Sequence, residues 1–163
     1  MRVERWLITG AAGQLGGHLV QHLAADFHAP HLLALTHDRP VPVPDVPART
    51  VNLADTGALR EAVTAFDPTH ILHVGAITAV GVCHADPDAA VRINVDATAA
   101  LADAAQEVGA RLVFTSTDMV FDGDHAPYRE SDSPNPLSHY GRTKVAAEAL
   151  LHGRPQTVVV RIP

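Results

Sequence analysis

Short apolar runs alternate with amphipathic helical stretches along the whole chain, and that alternation leaves few folds open. The apolar runs read as strands at Trp6–Ile8, His31–Thr36, Arg49–Leu53, His70–Val74, Leu112–Thr115 and Thr157–Arg161. Between them, Gln14–Asp26, a segment capped by Asp55 and stopped by Pro68, Pro87–Val108 and Ser138–His152 carry apolar residues at helical spacing. Strands apolar on both faces, joined by helices, form parallel sheets with helices on both faces. Right-handed crossovers then make a doubly wound sheet the simplest topology, with ligands bound beyond the carboxyl ends of the strands. Four prolines fall within Pro40–Pro47, which is therefore an extended loop. Residues 116–137 are expected to be a long irregular loop, and loops of that length in compact domains are usually functional.

Composition narrows the function. The 163 residues are 47% hydrophobic and 18% charged, so the chain is expected to fold as one domain over 1–163 rather than stay disordered. A net charge of −6 gives no electrostatic footprint for nucleic acid, and no apolar run is long enough to span a membrane. Glu4 interrupts any secretory core, and Cys83 is the only cysteine, so a reducing cytoplasm is expected.

The turn after the first strand reads Thr9-Gly10-Ala-Ala-Gly13-Gln14-Leu15-Gly16. Gly10 permits a tight turn, Gly13 a close approach to a pyrophosphate, and Gly16 close helix–strand packing. The N–H groups and positive end of the following helix complete a diphosphate site. An acid commonly ends the second strand of such sites and bonds the adenosine ribose. Thr36 holds that place here, and Thr36, His37 and Arg39 suit a 2′-phosphate. The expectation therefore leans to NADP(H) over NAD(H).

A second constellation carries chemistry. Thr115-Ser116-Thr117-Asp118 leaves the fifth strand, and Tyr140 and Lys144 share a helix face at i and i+4. An ammonium beside a phenol is expected to lower its pKa, and the Thr117 hydroxyl could hold a substrate oxygen against the tyrosine. Lys144 is the only lysine; the other eleven cations are arginines, which cannot be tuned in this way.

These residues resemble the extended short-chain dehydrogenase/reductase superfamily, through Thr9-Gly10-x-x-Gly13-x-x-Gly16 and Tyr140-x-x-x-Lys144. The dTDP-4-dehydrorhamnose reductase branch is resembled through Gly13–Gly16, Ser116–Gly123, Pro134-x-Pro136-Leu137, Tyr140–Lys144 and Asp86–Val95. The resemblance implies a Rossmann-type fold truncated after the sixth strand, lacking a C-terminal substrate domain. It implies reduction of a keto group on a nucleotide-linked sugar. Tyr140 would then be proton donor, Lys144 its partner and a ribose contact, and Thr117 the third member of the triad, with Thr117 and Asp118 toward substrate. Gly13, Gln14 and Leu15 would line the pyrophosphate and Asn52 and Leu53 the adenine. Gly75, Ala76 and Ile77 would line the cofactor beyond the fourth strand, with Thr115 beneath it. Met119 stands where these reductases often have tyrosine and the sugar-nucleotide dehydratases glutamate, which disfavours dehydration. Sugar-nucleotide epimerases share the Tyr–Lys chemistry and give one alternative. The other is a non-catalytic NAD(P)-binding regulatory subunit, as one relative is for methionine adenosyltransferase. A homodimer, or a second polypeptide completing the fold, is the expected partner.

Other candidates read more plainly. His18 and His22 are spaced as a metal pair with no third ligand. Cys83-His84 has no orienting acid, Asp122 and Asp124 belong to a turn, and His73 is expected to be a buried histidine with its bonds satisfied.

Overall fold

The computed structural model describes residues 3–26 and 31–163, so Met1 and Arg2 of the N-terminal run lie outside the described residues. In chain order the elements are β1 (Trp6–Thr9), α1 (Gln14–Asp26), β2 (Leu32–Thr36), β3 (Ala48–Thr50), α2 (Thr56–Phe66), β4 (His70–His73), α3 (Val80–Ala85) and α4 (Pro87–Val91). A π-helical turn (Arg92–Asp96) joins α4 to α5 (Ala97–Val108), followed by β5 (Arg111–Thr117), a 3-10 turn (Asp118–Val120), α6 (His139–Leu151) and β6 (Thr157–Ile162). The strands form one parallel sheet in the order β3-β2-β1-β4-β5-β6. The order reverses between β1 and β4, which opens a crevice at their carboxyl ends.

Side-chain alternation distributes the two faces. Leu7, Leu35, Ile71, Leu112 and Phe114 point to one face, where α2, α5 and α6 cover them with Leu59, Val63, Leu101, Ala105, Ala147 and Leu151. Ile8, Leu32 and Ala34 point to the other, against Val20 and Leu23 of α1 and Val46 of the proline-rich loop. Burial of these apolar side chains, worth roughly 1.5–3 kcal/mol for each large one, is the main favourable term holding the layers together. Beyond α1, the second face is less covered: Val158, Val160 and Ile162 of β6 share the Val113 side and are 54%, 39% and 36% exposed.

Caps fix the helix starts. The Asp55 and Asp86 side chains accept from the N–H groups of Ala58 and Ala89, and Ser138 Oγ accepts from Gly141 N–H at 2.9 Å. α1 has the bounds its periodicity predicts. The segment Pro87–Val108, expected as one regular helix, is interrupted by the π-helical turn, where Ala97 N–H reaches back to Arg92 O. The loop expected over 116–137 begins later, because β5 runs on to Thr117 against β6. The third strand is shorter than expected, although Val51 N–H still donates to Thr36 O at 2.8 Å.

Candidate functional site

The glycine turn sits at the point where strand order reverses. Gly10 has φ +64°, a left-handed backbone that suits glycine, and a Cβ on it would lie 2.6 Å from the Gly75 Cα. The ends of β1 and β4 thus touch backbone to backbone. Gly13 N–H donates to Gly10 O at 2.8 Å, and a Cβ on Gly16 would meet that same carbonyl. Side chains are therefore excluded at Gly10 and Gly16, and the turn brings the N-terminus of α1 to the crevice, with Gln14 and Leu15 exposed at its mouth. A pyrophosphate needs a cradle of this kind, and the residues present fit one.

The other expected cofactor residues converge on the same end of the sheet. Ala11 N–H donates to Leu35 O at 3.1 Å, which brings Thr36, His37 and Arg39 beside the turn. Thr36 is 8% exposed, whereas His37 and Arg39 stand in solvent. Asn52 Oδ1 accepts from Ala54 N–H, and the Leu53 side chain packs onto Gly75. Ala76 and Ile77 follow Gly75, and Thr115 Oγ1 donates to His73 O at 3.2 Å.

Thr117, Tyr140 and Lys144 meet on the β5–α6 side of the crevice. Each is nearly buried, at 6%, 8% and 3% exposure. Thr117 closes β5 and caps the 3-10 turn by accepting from Met119 N–H at 3.2 Å, while its hydroxyl donates to Asp118 Oδ1 at 3.1 Å. Asp118 itself is exposed. Gly141 lets α6 approach this turn: a Cβ there would lie 2.4 Å from Met119 O and 2.9 Å from Pro136 Cβ.

The electrostatics correct one expectation. The Tyr140 pKa is raised, not lowered: burial is the largest cause, and the Thr117 hydroxyl bonded to the phenol opposes it. The phenol is therefore protonated at neutral pH, the form a proton donor needs. Burial instead acts on the partner, bringing Lys144 down to about 8. Its Nζ lies 3.9 Å from the centroid of the Phe114 ring, a cation–π contact that offsets part of its lost hydration.

Asn94 is the residue here that residue chemistry alone did not single out. Carried on the π-helical turn, it accepts from Ile77 N–H at 2.8 Å and donates to Ile77 O at 2.9 Å and to Thr143 Oγ1 at 3.0 Å. Thr143 in turn donates to Tyr140 O at 2.7 Å. One side chain thus ties the loop after β4 to the helix that bears Tyr140. The π-helical turn was the structural clue, since such turns recur at functional sites.

Asp122 organises the neighbouring loop, accepting from the Tyr128 hydroxyl, Asn135 Nδ2 and Asp124 N–H, bonds that hold its carboxyl well below the usual carboxylate range. Its turn-forming role stands. Cys83 is fully buried beside Tyr140, and the His84 ring faces His139 instead. His22 pairs with Asp26 in solvent, and among the described residues no three His, Cys, Asp or Glu side chains cluster as metal ligands. None of the described helices is long and apolar enough to cross a membrane.

Comparison with known proteins agrees with this architecture. The family described as RmlD substrate binding domain matches residues 4–163. Over 161 residues the chain is 39% identical to methionine adenosyltransferase 2 subunit beta of Bos taurus, covering 98% of this chain and 46% of that protein. It is 36% identical to dTDP-4-keto-6-deoxy-D-glucose reductase of Streptomyces niveus, covering 89% and 46%. The crystal structure of Bordetella bronchiseptica WbmG, in complex with NAD and UDP, superposes with a TM-score of 0.81 at 28% identity, covering 98% of this chain and 52% of that one. The chain spans about half the length of the curated relatives it matches. It belongs to the RmlD substrate binding domain family.

Proposed function

We propose that this chain carries the dinucleotide-binding half of an NAD(P)-dependent reductase acting on a keto group of a nucleotide-linked sugar. The observation that carries the reading is the convergence of the Thr117 hydroxyl, a protonated Tyr140 and the buried Lys144 beside a glycine cradle at the strand-order reversal. When bound, the reduced nicotinamide supplies a hydride to the carbonyl carbon. Tyr140 Oη gives its proton to the carbonyl oxygen, so the ketone becomes an alcohol and the phenolate is reprotonated from solvent. Thr117 Oγ1 holds the carbonyl oxygen in line with that proton. The Lys144 ammonium stabilises the transient phenolate and contacts the ribose. Gly10, Gly13, Gln14, Leu15 and Gly16 hold the pyrophosphate, and Asn52 and Leu53 flank the adenine. Gly75, Ala76, Ile77 and Thr115 line the path to the nicotinamide, and Thr36, His37 and Arg39 meet the 2′-phosphate of NADP(H). Following absorbance at 340 nm with NADPH and a panel of nucleotide-linked keto sugars tests the activity.

A second reading has its own support in the 39% identity to a methionine adenosyltransferase subunit. In that reading the chain binds NAD(P) and acts by docking on a partner enzyme. The exposed apolar side chains Val158, Val160 and Ile162 on β6 support a partner in either case, since an exposed edge strand invites another polypeptide. Cofactor binding without any change at 340 nm, together with co-elution with methionine adenosyltransferase, would favour it over the reductase.

A further inference from the structure

A chain of buried polar side chains runs beneath the crevice, and His73 is its centre. The ring is 1% exposed, on the last residue of β4. Its Nδ1 lies 2.7 Å from Thr9 Oγ1 and its Nε2 lies 3.0 Å from Thr98 Oγ1. The proton positions follow from the outer bonds. Thr98 spends its only hydroxyl proton on Asn94 O, at 2.8 Å, so it must accept from His73 Nε2–H. Thr9 Oγ1 accepts from Gly75 N–H at 3.1 Å and donates its own proton to the bare Nδ1. Every member is satisfied in only one tautomer of the ring. The environment also keeps the ring uncharged: full burial, and Lys144 nearby, lower its pKa to about 3.

The two ends of this chain are the two halves of the site. Thr9 precedes Gly10 and binds Gly75, the backbone pair that forms the cradle. Asn94, at the other end, clamps Ile77 and reaches Tyr140 through Thr143. Thr98 is fully buried, so any effect it has on cofactor passes through its two partners, the His73 ring and the Asn94 carbonyl.

We propose that His73 is a positioning residue, whose neutral Nε2–H tautomer locks the glycine cradle to the turn bearing Asn94 and so sets the cradle against the tyrosine helix. This rests on the dinucleotide-binding reading above and assigns a task to a histidine that touches neither cofactor nor substrate. Replacing Thr98 by valine keeps shape and removes both the acceptor for Nε2–H and the donor to Asn94 O, so the route through His73 is read from its coupling to Thr9. The ring is then free to exchange tautomers, and Thr9 loses the acceptor that orients it.

The experiment has two arms. Ring-nitrogen NMR of the ¹⁵N-histidine protein, with His73 assigned through His73→Asn, should show a protonated Nε2 and a bare Nδ1 with no titration between about pH 5 and 8. An Nδ1–H tautomer, or a ring titrating in that range, overturns the proposal. Titration of NADPH into the parent, Thr9→Val, Thr98→Val and the double variant then measures the coupling. Each single change should weaken binding about threefold to tenfold, and the pair should cost no more than one alone. His73→Asn, whose Oδ1 can serve Thr9 but whose amide cannot reach Thr98, should match Thr98→Val. Unchanged affinity in Thr98→Val, or fully additive losses, contradicts the proposal. A folded parent that binds no dinucleotide overturns the cofactor reading itself, and this inference with it.

Discussion

The Lys144 ammonium stands 3.9 Å from the centre of the Phe114 ring, and both side chains are almost fully buried. A charge in such a place costs stability and is retained for what it does. Its folded-state pKa, about 8, lies below the 10.5 of the unfolded chain. Below pH 8 both states hold the proton and the penalty is fully present. Between 8 and 10.5 the unfolded chain binds more protons, so stability rises with pH across that window, by about 3 kcal/mol at most. Lys144→Met should therefore be more stable than the parent at pH 7, by about 1–3 kcal/mol, with the gap closing toward pH 10. Denaturant midpoints of the two proteins at several pH values measure this. A variant less stable at pH 7, or a gap that widens with pH, would contradict it.

Gly141 should be as important as the residues that do chemistry. A Cβ at that position meets Met119 O and Pro136, so Gly141→Ala has to push α6 away from the Thr117 turn. A stability loss of about 1–3 kcal/mol is expected, with cofactor binding largely kept and turnover reduced. Urea denaturation beside NADPH titration checks both. An alanine variant with parent stability and turnover would mean that the helix start tolerates displacement.

Cofactor choice should follow the end of β2. In the proposed reading Thr36 stands where a ribose-binding acid would be, and the Arg39 side chain next to it is exposed. NADPH should bind about tenfold tighter than NADH, and Arg39→Ala should remove most of that preference, because the guanidinium pairs with the 2′-phosphate. Tighter NADH binding that ignores Arg39→Ala would reverse this assignment.

Much of this was legible in the residues, for identifiable reasons. The strand–helix alternation gave the parallel sheet, and the glycine spacing placed the cradle between β1 and α1. The i, i+4 spacing put Tyr140 and Lys144 on one face. Spacing does not encode burial depth, and burial is what raises the Tyr140 pKa against the expectation that Lys144 would lower it. The π-helical turn around Asn94 shifts a backbone bond by one residue and leaves no periodic trace. α3 (Val80–Ala85) leaves no signal in the sequence because six residues are too few to show a helical period. His73 is the buried histidine with satisfied bonds that its place on an apolar strand predicts; its partners Thr9 and Thr98 are brought to it only by the fold.

In the proposed reaction Tyr140 delivers a proton while a reduced dinucleotide reduces a keto sugar. The direct measurement is absorbance at 340 nm after a nucleotide-linked 4-keto sugar is added to the protein with NADPH, run in parallel for the parent and Tyr140→Phe. The parent should consume NADPH in step with alcohol formed. Tyr140→Phe, which keeps the ring but has no proton to give, should bind NADPH normally and turn over about 10²–10⁴-fold more slowly. Equal rates for parent and variant would remove Tyr140 from the chemistry. NADPH bound by the parent but never consumed across the panel would contradict the reductase and leave a dinucleotide-binding subunit in its place.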